Sequence, residues 1–193
     1  MKEILFKKIN KIGYITLNRP KKLNALNDIM PFKLSEAIKK ANDDNDIHVI
    51  ILSGKGKAFC SGYDLEEYAG NKKNKFIQNM PWDPISDYKF MWENVQHFMS
   101  IWHSTKPVIC KIHGHALAGG SDLALCSDII IMANNAKIGY MPSRVWGTPT
   151  TAMWVYRIGA EKAKRLLLTG DKITGKEAEK IGLVLKSVPI EDL

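Results

Sequence analysis

Two stretches of this chain place glycine and a small polar residue where a buried run gives way to a helix. GHALAGGSDLAL, residues 114–125, brings Gly119 and Gly120 to the mouth of a helix and sets Asp122 one turn further in. KAFCSGYDL, residues 57–65, has the same form, with Ser61 and Gly62 in the corresponding place. The first amides of a helix lack an intrahelical acceptor, and glycine lets a ligand approach them closely. Amides at Gly119 or Gly120, and at Ser61 and Gly62, can therefore donate to a negative oxygen formed in a reaction, with a helix dipole of the right sign behind them. Two such donors on one carbonyl oxygen make an oxyanion hole, where losing a single donor costs roughly 3 kcal/mol in the transition state. Each glycine pair alone reads first as a turn requirement. The two together say more.

The elements that must position these loops follow from the pattern of apolar residues. ILFKKI and GYITLNR read as a hairpin, the second strand alternating Tyr14, Thr16 and Asn18 against Ile15 and Leu17. Asp28 is placed to cap a helix carrying Ile29, Phe32, Leu34, Ala37 and Ile38, and IHVIILSG has the short, β-branched character of a buried strand. The asparagine- and lysine-rich stretch 70–84 reads as a surface excursion, followed by a long helix over 85–103 and a strand in KPVICKIHG. After the second glycine loop come strands in DIIIMA and AKIGY, an irregular MPSRVWGTP, helices over 150–157 and 160–168, and TGKEAEKIGLVLKSV. Strands alternating with helices throughout predict an α/β domain, with residues 1–193 forming one core.

Composition narrows the field. At 193 residues, 45% hydrophobic and 25% charged, the sequence is that of an ordinary globular protein. It holds no apolar run of the roughly 20 residues a membrane helix needs, and its start has no signal-peptide pattern. A cytoplasmic setting is expected. Cys60, Cys110 and Cys126 have neither C-x-x-C spacing nor a disulfide framework, which leaves buried thiols. A net charge of +8, spread as lysine pairs, suits a phosphate-bearing ligand or nucleic acid, and equally a solvated lysine-rich surface.

Four motifs in order, NRPKKLNAL, KAFCSGYDL, HGHALAGGSDLALCSDI and LLLTGDKITGKEAEKIGLV, resemble the crotonase superfamily, the enoyl-CoA hydratases and isomerases. The resemblance runs over residues 12–193. It implies a spiral of ββα units, an acyl-CoA thioester as ligand, a homotrimer or dimer of trimers, and no metal or cofactor beyond the coenzyme A of the substrate. By motif, Ser61 and Gly119 would supply the two oxyanion-hole amides, and the loop Ser61, Gly62, Tyr63 and Asp64 would lie near the CoA. Lys55 and Lys57 could meet CoA phosphates or simply face solvent.

The sequence departs from that pattern in three places. Family hydratases use two glutamates, and Asp122 stands at the first position with a side chain one methylene shorter. It is either the proton-transfer group or a favourable charge in a helix's first turn. The second position falls on Pro142 or Ser143, neither of which is a carboxylate base. Arg144 beside it could bind a substrate carboxylate, pair with Asp122, or face outward. Tyr140 and Trp146 could line an acyl pocket or pack in the core. His97, His103, His113 and His115 have no Ser or Cys at triad spacing. The family's C-terminal helical region is expected to be truncated or absent, since VPIEDL ends the sequence.

The expected function is an enoyl-CoA hydratase/isomerase-like reaction through a thioester enolate, with Asp122 moving the proton and Ser143 and Arg144 near the acyl group. The alternative is a catalytically silent CoA-binding homologue. RNA binding rests on the charge alone.

Overall fold

The computed structural model describes residues 2–68, 78, 80–145 and 147–193. The surface excursion read over 70–84 therefore lies mostly outside the described residues, and Trp146 lies wholly outside them.

The predicted hairpin opens the fold as β1 (Ile4–Ile9) antiparallel to β2 (Ile12–Leu17), whose Ile15 and Leu17 are fully buried, as the alternation requires. Helix α1 (Met30–Asp43) then crosses to β3 (Val49–Gly54). Ile29 holds the N-cap position, and the side chain that accepts the first helical amide, that of Met30 at 3.0 Å, is Asn27 and not Asp28, which instead accepts the Tyr68 hydroxyl at 2.7 Å. The buried stripe of α1 is Met30, Leu34, Ala37, Ile38 and Ala41, while Ile29 and Phe32 are exposed. The start of the helix thus sits one register away from the expected face.

A short α2 (Leu65–Tyr68) and the long α3 (Pro84–Trp102) lead to β4 (Val108–Ile112). From here the chain repeats a strand, a second strand and a helix. β4 is followed by β5 (His115–Leu117) and α4 (Gly119–Leu125); β6 (Ile129–Ala133) is followed by β7 (Lys137–Gly139) and α5 (Met153–Thr169). The first strand of each repeat joins a six-stranded sheet of order β1-β2-β3-β4-β6-β9, parallel beyond the hairpin. The second joins a three-stranded sheet, β5-β7-β8. β8 (Lys172–Thr174), α6 (Gly175–Ile181) and β9 (Lys186–Val188) complete these layers. This is the expected ββα spiral. The two helices read over 150–157 and 160–168 are both found within α5, divided at Gly159, whose φ of 75° and ψ of 165° are not helical.

One cluster of buried side chains runs from Ile4 to Val184 and fills the space between sheets and helices. It includes all three cysteines as free thiols, and burial pushes the Cys60 and Cys126 thiols up to about 12, which leaves them unreactive at neutral pH. Among the described residues no helix is long and apolar enough to cross a membrane.

Candidate active site

The fold brings the two glycine loops into contact. Segment 59–60 runs beside β5: the Phe59 amide donates to the His113 carbonyl at 2.9 Å, Cys60 to His115 at 2.9 Å, and Leu117 back to Cys60 at 3.0 Å. Gly62 then turns at φ +98°, in the left-handed region. A Cβ built on Gly62 would lie 2.9 Å from the Ala118 Cβ and 3.7 Å from the Gly119 nitrogen, so a side chain there would force the loops apart. One on Gly120 would lie 2.9 Å from the Cys60 thiol. The glycines are needed because two backbones touch.

Hydrogen bonding decides which amides remain open. Ser61, expected to donate to a ligand, spends its amide on the Leu23 carbonyl at 3.1 Å. The Gly62 amide faces the Cys60 thiol, and the Asp64 amide donates to the Leu26 carbonyl at 2.9 Å. The Tyr63 amide finds no acceptor among the described residues, and neither does that of Gly119. The open amide of the first loop is therefore that of Tyr63, and Ser61, expected to offer one, has its own already bonded. The sequence did carry a signal in Gly62, whose left-handed turn reorients the chain just before Tyr63. What it did not show is that Leu23 and Leu26 bracket the loop and claim the Ser61 and Asp64 amides.

The second loop enters its helix through Ala118, an alanine at φ 51°, ψ −127°. A non-glycine residue there is strained, and such strain gathers at functional sites. The Ala118 amide is held by the Gly139 carbonyl at 2.9 Å, while its own carbonyl accepts from the Ser121 and Asp122 amides at 2.8 and 3.2 Å. This fixes Gly119 at the first turn of α4, with its amide unclaimed.

Asp122 points inward from α4 and is 1% exposed. One oxygen, Oδ2, accepts long hydrogen bonds from the Thr150 amide and hydroxyl at 3.3 and 3.4 Å. The other, Oδ1, is buried without a partner. Loss of hydration dominates, pushing the carboxyl up to about 7 even though Thr150 pulls the other way. A carboxyl poised near neutrality can both take and give a proton. Among the described residues no cation pairs with it, and Arg144 is bonded elsewhere, so the pairing weighed for Arg144 is not made.

The segment expected to provide a second group faces elsewhere. Residues Met141–Arg144 form a single 3-10 turn in which the Ser143 hydroxyl donates to its own Tyr140 carbonyl at 2.9 Å. Arg144 donates to the Thr169 carbonyl at 2.7 Å and to Asp171 at 3.0 Å, tying this turn to the end of α5, with its side chain 57% exposed. Ser143, expected near the acyl group, is held by its own turn, and Arg144, weighed as a carboxylate binder, a partner of Asp122 or an outward-facing residue, takes the outward place as a structural tie. Tyr140 is buried, its hydroxyl donating to the Thr148 carbonyl at 2.6 Å.

Of the residues expected near CoA, Asp64 is buried and pairs with Arg19 at 2.9 Å, so its carboxylate holds the loop rather than a ligand. Lys57 and Lys55 are exposed at the foot of that loop. The histidines form no triad. Ser35 and His97 do meet at 2.9 Å, but the Ser35 hydroxyl proton goes to the Phe32 carbonyl at 2.8 Å, leaving no proton for the imidazole to take. Among the described residues no group of three or more His, Cys, Asp or Glu side chains is placed to hold a metal.

Comparison with known proteins bears on this arrangement. Residues 7–193 match the model of the family Enoyl-CoA hydratase/isomerase. A mitochondrial enoyl-CoA hydratase of Pongo abelii is 35% identical over 190 residues, covering 96% of this chain and 61% of that protein. A crotonyl-CoA hydratase of Syntrophomonas wolfei is 35% identical over 194 residues, covering 98% of this chain and 70% of its own length. The chain thus spans about two thirds of the length of such relatives. In three dimensions it superposes on a crystal structure of an enoyl-CoA hydratase from Mycobacterium smegmatis with a TM-score of 0.92 and 43% identity, covering all of this chain and 68% of that one. With its ββα spiral, its paired glycine loops and these matches, the chain belongs to the enoyl-CoA hydratase/isomerase family of the crotonase superfamily.

Proposed function

We propose that this protein is an enoyl-CoA hydratase/isomerase-like enzyme that activates an acyl-CoA thioester as an enolate. The observation that carries this reading is the pair of unclaimed amides, Tyr63 and Gly119, on touching loops beside a buried carboxyl with a free oxygen. The thioester oxygen would accept from both amides, which bind it more strongly as negative charge builds there. In hydration, the water oxygen bonds to C3, one water proton passes to the Asp122 carboxylate, the C2–C3 π pair shifts to C1–C2 and the carbonyl π pair moves onto the thioester oxygen. Asp122 then returns the proton to C2 and the carbonyl reforms. The reaction balances with one carboxyl and without a separate cofactor; CoA enters as part of the substrate.

Names of relatives support the acyl-CoA class, since the Syntrophomonas wolfei protein is a crotonyl-CoA hydratase. Lys55 and Lys57, exposed on the first loop, are the cations we assign to the CoA phosphates. We assign a homotrimeric assembly, supported by the exposed apolar side chains Val155, Tyr156 and Leu168 on α5 and Leu185 before β9. Free, buried cysteines accord with a cytoplasmic setting.

Solvent-deuterium incorporation at C2 of a short acyl-CoA tests the reading. Wild type should exchange and Asp122→Asn should not; equal exchange in both would remove Asp122 from the mechanism. One observation favours a second reading, a silent CoA binder: the position of the second carboxylate holds Ser143, bound to its own turn. That protein would melt at higher temperature with acyl-CoA yet turn none over.

A further inference from the structure

The side chain of Tyr63 has no part in the reaction as written so far. Its ring leaves the residue whose amide is open and lies across the start of α4: Cε2 and Cδ2 come within 2.9 and 3.1 Å of where a Cβ on Gly119 would stand, next to Leu26 Cδ1 at 3.0 Å. The Tyr68 ring meets it edge-on at 5.5 Å. This packing fixes the ring, and its hydroxyl ends buried with no hydrogen-bond partner.

The neighbouring polar side chains are already committed. Tyr140 donates to Thr148, Ser121 to the Ala118 carbonyl, Ser143 to Tyr140, and Thr150 to Asp122. Asp122 Oδ1 shares the condition of the Tyr63 hydroxyl: buried and unpartnered. Thr151 Oγ1 and Trp154 Nε1 are also unclaimed, but Tyr63 carries its open hydroxyl on the residue whose open amide lies on the loop touching Gly119, with its ring against that glycine. The two sites are within electrostatic reach, since a charge on Asp122 adds to burial in raising the Tyr63 phenol, which therefore stays protonated. A buried donor and a buried acceptor left open together are costly, and a single oxygen able to both donate and accept would satisfy them.

We propose that the Tyr63 hydroxyl and Asp122 Oδ1 together grip the oxygen at C3 of the substrate: the entering water in one direction, the 3-hydroxyl of the product in the other. This rests on the acyl-CoA reading above and supplies what it lacks, a second polar contact where Ser143 makes none. Tyr63 donates to the oxygen while Asp122 accepts its proton, so water is aimed at C3 by two groups on different loops. The ligand class selected is a 3-hydroxyacyl-CoA over its saturated counterpart.

Calorimetric titration of 3-hydroxybutyryl-CoA and butyryl-CoA tests this without requiring turnover. Wild type should prefer the hydroxylated ligand by about tenfold, the value of a good buried hydrogen bond. Tyr63→Phe should bring the ratio of the two affinities near unity; because the ratio is read within each variant, any general loss of affinity cancels. Asp122→Asn should reduce the same ratio, which keeps the test open should Tyr63→Phe fold poorly. A wild-type ratio near one, or a preference that survives in a folded variant, overturns the grip while the acyl-CoA reading stands. If neither ligand binds wild type, both fall together.

Discussion

Two regions compete for the role of proton-moving apparatus, the first turn of α4 and the 3-10 turn at residues 141–144, and they differ in where their polar atoms end. On α4, Asp122 keeps one oxygen open in a dry space, and hydration lost there pushes its carboxyl up to about 7. In the other turn every polar end is spent: Ser143 on its own backbone, Arg144 on Thr169 and Asp171 at the surface. A group contributes to chemistry through what it leaves unsatisfied. By that measure α4 holds the open carboxyl to which the proposed reaction is assigned, and the turn is a brace.

The comparison can be broken most directly at Asp122. Asp122→Asn keeps the shape and removes the base, and should cut C2 deuterium exchange by about 10³-fold. A loss under tenfold would return the role to another group. Next in size is Gly119→Ala. Its methyl would press on Tyr63 Cε2 at 2.9 Å and displace the donor beside it, so exchange should fall about 100-fold while a folded core persists by circular dichroism.

A smaller effect lies in pH. Asp122 has its folded value raised from the ordinary carboxyl value of 3.8 to about 7, so the folded state holds a proton that the unfolded chain releases. Its contribution to stability therefore falls as pH rises from about 4 to about 7. Urea denaturation across this range should find wild type losing ground to Asp122→Asn as pH increases. Exchange catalysed by the carboxylate should rise over the same window. A stability difference that does not vary with pH would mean that Asp122 is hydrated. Smallest of all, Ser143→Ala and Arg144→Ala should leave exchange within a factor of about two, the size of ordinary surface changes. A large loss in either would make the brace a participant.

Much of this architecture was legible in the residues. The glycine doublets mark the strand-to-helix junctions because local backbone sterics demand them, and the order of strands and helices follows from apolar periodicity. β5 was missed because three residues, His115–Leu117, are too few to show a period. Misreading Ser61 as the donor has a different cause. Which amide stays open is set by Leu23 and Leu26, far upstream, whose carbonyls and amide close around the loop only in the folded chain. Arg144 likewise finds Asp171 across the end of α5, a pairing that no local spacing encodes. Pattern located the loops; partners distant in sequence decided their atoms.

Residues 59–60, hydrogen-bonded along β5, have one further consequence. Because these bonds join the segments that carry the two open amides, neither segment can fray without the other, and both sit on the buried cluster. Heating should therefore extinguish the chemistry in the same cooperative step that melts the whole domain, with no warm, folded, inactive species before it.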